Sequence, residues 1–145
     1  MPKAEYVYVP FEIAPTPAYP QGYTAHRPLA LATITASNGQ SIRCVVLPDS
    51  GADSCLFPLS LAIMLKLDVL RLPKALTIGV GSQSNTTYYD KLSIDLGQGI
   101  AFEAYVGFTQ GLDSVGMGLL GQNGFFDSYH VEFRHADKVF TVEAK

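Results

Sequence analysis

From Leu29 onward, apolar and polar residues alternate in short runs broken by glycine, asparagine and proline. LALATITAS and QSIRCVVL flank Asn38-Gly39, two residues that tolerate positive φ, so a β-hairpin is predicted there. The alternation gives way at LFPLSLAIMLKLDVL. Pro58 suits a first helical turn, and Leu59, Ala62, Ile63 and Leu67 fall near one face, which predicts a helix over 58–66. KALTIGVGS and TTYYDKLSIDLG then read as two strands around a polar tip at 82–85, and GIAFEAYVGFT as another strand. GLLGQNGFFDSY reads as a turn into a short helix, and HVEFR, HADK and VFTVEA as a closing hairpin. Many short strands and one or two short helices predict a mainly β fold, a small closed β-barrel.

Residues 1–28 follow a different pattern. Six of the nine prolines and four of the eight tyrosines lie there. Proline donates nothing to a β-ladder, so this stretch reads as an extended arm with one edge strand near 6–9. The arm is compatible with a linker, a dimer arm or a pro-segment, and Phe11 and Tyr19-Pro20 lie within it. Residues 29–145 form the domain proper.

Composition narrows the function. The chain has 145 residues, one domain's worth, and 48% of them are hydrophobic. A net charge of −3 lacks the basic face that nucleic acid selects. No run approaches the ~20 apolar residues of a membrane span. The opening MPKAEYVYVPFEIAP lacks a signal-peptide layout, so a cytoplasmic location is expected. Cys44 and Cys55 form no C-x-x-C pair and are expected as buried free thiols, although a disulfide across the intervening loop is open if their Cα atoms lie close.

The candidate chemistry lies in VVLPDSGADSC, residues 45–55. Asp49-Ser50-Gly51 is made of ordinary turn residues, and a turn is its simplest reading. Its context suggests more. It follows an apolar strand and precedes Ala52, Asp53 and a helix, and Leu119-Leu120-Gly121 follows seventy residues after Gly51. Other patterns lack their context. Gly116 to Gly121 matches G-x-G-x-x-G but has no βαβ unit around it. His26, His130 and His135 have no acidic or cysteine company at metal-ligand spacing. No G-x-S-x-G occurs.

VVLPDSGAD (45–53) and GLLGQNGFFDSYHVEF (118–133), in that order and spacing, resemble the retropepsin-like aspartic proteases, the retroviral enzymes and their single-domain bacterial relatives. The resemblance covers about residues 29–143. It implies a barrel of the acid-protease (retropepsin) type and an aspartic endopeptidase without cofactor or metal. In that family each half of the enzyme supplies one Asp, and this chain has a single D-[ST]-G. The resemblance therefore implies a homodimer with one Asp49 per subunit acting on a peptide or protein substrate. It assigns Asp49 as catalytic, with Ser50 and Gly51 in the active-site loop. Ala52 and Asp53 line the cleft with Val80 and Gly81 of a flap hairpin, and Leu119, Leu120 and Gly121 support the loop. Gln122 stands where retroviral members often carry Arg, so a neutral bond to Asp53 is expected in place of an ion pair. Two other readings stay open: a dimeric peptide-binding module of the same fold that cuts nothing, and an interaction barrel in which Asp49 marks a turn.

Overall fold

The structure, a computed structural model, describes residues 3–78 and 84–145. Val80 and Gly81 lie outside the described residues. The strands are β1 (Lys3–Val7), β2 (Val9–Ile13), β3 (Tyr23–Arg27), β4 (Ala30–Ala36), β5 (Ser41–Pro48) and β6 (Leu56–Pro58). Helix α1 (Leu59–Met64) follows, then β7 (Lys74–Ile78), β8 (Ser84–Asp95), β9 (Ala101–Thr109), β10 (Gly118–Leu120), β11 (Tyr129–Arg134) and β12 (Val139–Ala144).

Six strands close into a barrel in the order β4-β5-β10-β6-β9-β8, with β8 returning to β4. The twelve residues of β8 make closure possible. Along one edge its first half pairs with β7 and its second half with β4, while β9 follows its other edge. Alternation decides what enters the barrel. Along β4, Ala30, Ala32, Ile34 and Ala36 turn inward, and Leu92, Ile94, Val106 and Phe108 meet them from β8 and β9. Phe57 and Phe108, both fully buried, approach to 6.4 Å between ring centroids.

The β4–β5 hairpin forms where Asn38-Gly39 predicts it, but only Gly39 takes positive φ, at +86°. A type I turn with glycine in the left-handed region is the common alternative to a two-residue loop. The Asn38 side chain instead donates to Leu65 O at 3.0 Å, tacking the turn to the end of α1.

Two helical expectations need correction. Helix α1 is shorter than predicted, Pro58 is its N-cap, and its buried face is Leu61, Ala62 and the following Leu65. Of the face read from spacing, Ala62 is buried and Leu59 and Leu67 pack partly buried against the core, whereas Ile63 is 61% exposed. After β10 the chain makes successive turns, with Phe126 N–H reaching Gly121 O and Asp127 N–H reaching Gln122 O, rather than a helix. Gly124 at φ +101° interrupts the helical run.

The N-terminal residues divide in two. The single edge strand expected near 6–9 is replaced by β1 and β2. β1 pairs with β12, which also pairs with β11, and Ala4, Tyr6 and Tyr8 are buried, with Tyr6 stacked 5.1 Å from Phe140. β2 and β3 form a separate two-stranded sheet. No helix of the described residues is long and apolar enough to cross a membrane.

Because Phe108 is fully buried against Phe57, Phe108→Ala is expected to cost about 3–5 kcal/mol. Urea unfolding should show this as a lowered midpoint with an unchanged slope.

Candidate active site

The site begins where β5 ends. Alternation along β5 buries Cys44, Val46 and Pro48 and leaves Val45, Leu47 and Asp49 on the opposite face. β10 lies parallel beside it, with Leu119 opposite Leu47 and Leu120 opposite Pro48. Asp49 N–H continues that ladder by donating to Leu120 O at 2.9 Å. The chain then turns sharply. Ala52 N–H donates to Asp49 O at 3.1 Å, and Gly51 N–H donates to Asp49 Oδ1 at 3.0 Å. One carboxylate oxygen is thereby oriented by the loop's own backbone, an Asx-type contact. Asp49 is half-buried, and Ser50 and Gly51 are exposed.

A second loop clasps the first. Gln122 N–H donates to Ala52 O and Asn123 N–H to Asp53 O, both at 2.9 Å. The Gln122 side chain donates to Ser50 O at 2.9 Å. This corrects the expected bond to Asp53, because Gln122 Nε2 engages the backbone of the Asp49 turn. Such close approach requires Gly121 to lack a side chain. A Cβ there would lie 2.7 Å from Ala52 O and closer still to Ser54 O. Leu120 is fully buried behind the turn, and Leu119 is half-buried beside Leu47.

Cys55 joins this arrangement. Its sulfur accepts from Gly121 N–H at 3.4 Å and donates to Asn123 O at 3.7 Å, while its carbonyl accepts from Gly107 N–H. Burial pushes the Cys55 thiol above its ordinary value, partly offset by the Gly121 N–H bond. The sequence marked Cys55 as a buried thiol, as it is, but not as part of the loop crossing. The one available signal was its place two residues before Phe57, since positions i and i+2 share a face and Phe57 is fully buried. Cys44 is also free and buried.

Asp49, Ser50, Gly51, Ala52 and Asp53 thus meet Gln122 and Asn123 in one pair of loops, with Leu119, Leu120 and Gly121 behind them. Among the described residues, no three of His, Cys, Asp or Glu come together at metal-binding distance.

No family profile matches this sequence, and no curated protein matches it closely. Among solved structures, a retropepsin-like aspartic protease from Rickettsia conorii superposes with a TM-score of 0.54 at 18% identity. The match covers 97% of this chain and 93% of that one. This chain has the retropepsin-like fold. Its closed barrel and short helices match the architecture that the resemblance implies.

Two outcomes follow from the loop crossing. Gly121→Ala should cost about 1–3 kcal/mol, because the atoms in its way are backbone carbonyls that cannot swing aside. Chemical denaturation reads that loss. Because burial raises the Cys44 and Cys55 thiols, their contribution to stability is complete below the ordinary 9.0 and is lost as pH rises through the folded values. Stability measured from pH 8 to 11 should therefore fall, and Cys55→Ser should make that fall shallower.

Proposed function

We propose that this chain is an aspartic endopeptidase, active as a homodimer in which two Asp49 carboxylates meet on the two-fold axis. The observation that carries this reading is the Asp49-Ser50-Gly51 turn at the end of β5, clasped by 121–123 and presenting a half-buried carboxylate within a retropepsin-like fold. Symmetry makes one such turn per chain sufficient.

The chemistry follows from pairing. Two carboxylates about 3 Å apart do not both ionise readily, so the pair holds one proton and titrates as a unit. The ionised member takes a proton from water as the hydroxyl oxygen attacks the peptide carbonyl carbon. The protonated member gives its proton to the carbonyl oxygen, and a tetrahedral diol forms. Collapse of the diol breaks the C–N bond as the newly protonated carboxyl gives its proton to the leaving nitrogen. The other carboxylate takes one from a diol hydroxyl, so the pair regains its starting state. The bond from Gly51 N–H to Oδ1 orients one oxygen, and the Gln122 bond to Ser50 O steadies the turn.

Cleavage of a mixed peptide library from pH 3 to 8 tests the reading. Activity should be higher at mildly acidic pH, and Asp49→Asn should abolish it. A wild type that binds peptides, is dimeric and cuts nothing would identify the non-cleaving binding module instead. A strictly monomeric protein without cleavage would reduce Asp49 to a turn residue.

A further inference from the structure

On the face of β5 that carries Asp49, an apolar groove of about 390 Å³ opens between the barrel and the N-terminal hairpin. Val9 and Phe11 of β2 form one wall, Leu31 and Val45 the floor, and Val115 and Met117 the other wall. The lining has no charged side chain. Leu31 and Val45, cross-strand partners, remain 47% and 38% exposed, and Val115 is 52% exposed. Arg27 of β3 lies 4.5 Å from the centroid of the Phe11 ring, a cation–π contact that fixes its orientation.

We infer that this groove is a distal substrate subsite, built with the N-terminal hairpin, that takes a bulky apolar side chain of an extended peptide. The inference rests on the proteolytic reading of Asp49 and adds a specificity determinant to it. Its support is register. Val45, Leu47 and Asp49 follow one another at i, i+2 and i+4 on one face, with Leu119 of β10 opposite Leu47 and Met117 and Gly121 just before and just after that strand. The groove therefore continues directly into a half-exposed apolar strip, Leu47 and Leu119, that ends at the carboxylate. Four residues at about 3.3 Å each place Val45 ~13 Å from Asp49. A bound extended peptide rises at the same rate, so its residue three to five positions from the cleaved bond reaches the groove. The absence of charge in the lining selects Leu, Ile, Met or Phe there over Ser or Asp.

The test uses the full chain and paired dodecapeptides carrying Leu or Ser three, four or five positions from the cleaved bond. The wild type should prefer the Leu peptide by about tenfold in kcat/KM at one of these positions, the usual scale for an apolar pocket. In Leu31→Ser, and independently in Val115→Ser, that ratio should fall toward one while sedimentation shows an unchanged oligomeric state. A wild-type ratio of one at all three positions, or a preference that survives both substitutions, overturns the inference. So does a shift of either variant toward monomer, which would make this face a contact between copies. If no peptide is cut, anisotropy of the same labelled peptides on the wild type separates the two proposals. A Leu preference in binding that both variants lose upholds the groove while removing hydrolysis, and no preference in binding removes the groove.

Discussion

The structure around the candidate site depends on a single close crossing of backbones. β5 and β10 run parallel for three residues, and Asp49 N–H extends the ladder to Leu120 O. Just beyond, Gly121 passes so close to the carbonyls of Ala52 and Ser54 that no side chain fits between them. A backbone held on both sides has little freedom, and the carboxylate it carries inherits that rigidity. Parallel strands cannot be joined by a tight hairpin, so the two halves of this crossing come from residues seventy apart in sequence.

The polar groups at the crossing are satisfied by the loops themselves. Asp49 Oδ1, Ser50 O, Ala52 O and Asp53 O each accept a hydrogen bond from Gly51, Gln122 or Asn123. Cys55 contributes an unusual partner, a thiol that accepts from Gly121 N–H and gives to Asn123 O in a fully buried position. An unpaired buried amide would cost about 1–3 kcal/mol. A sulfur acceptor is weak, but it gives the Gly121 N–H a partner in a buried place. Gln122 works in the same sense. As a neutral amide it secures the turn without placing a second charge next to Asp49.

Away from the crossing, packing supplies the support. Phe102, Phe125 and Tyr129 lie 5.5–5.6 Å from one another between ring centroids, joining β9 to the turns after β10 and to β11. Those turns carry the chain from Gly121 to the terminal sheet, so the aromatic cluster holds the clasping loop against the barrel. The same sheet takes in β1 through Tyr6, Tyr8 and Phe140. The N-terminal residues are thereby tied to the last strand of the chain, and the β2–β3 hairpin is carried to the mouth of the apolar groove.

What was legible in the sequence was what depends on local pattern. Alternation marked most strands, Asn38-Gly39 the first hairpin, and the two motifs the loops that meet. Local pattern misled where context outweighed it. On α1, spacing placed Leu59, Ala62 and Leu67 correctly but put Ile63 inward, whereas packing against the barrel selected Leu61 and Leu65. The helix expected after Gly121 gave way because Gly124 adopts a positive φ that no helix continues. Proline-rich composition suggested one extended arm, whereas long-range pairing with β12 and contact with Phe140 order β1 separately from the hairpin. The sequence by itself determined which residues alternate, turn and carry a carboxylate, because those properties reside in neighbouring side chains. Only the tertiary structure decided that Gln122 grips Ser50, that Cys55 lies beneath the crossing and that Phe11 and Val45 line one groove. Each of those arrangements joins segments that lie far apart in the sequence.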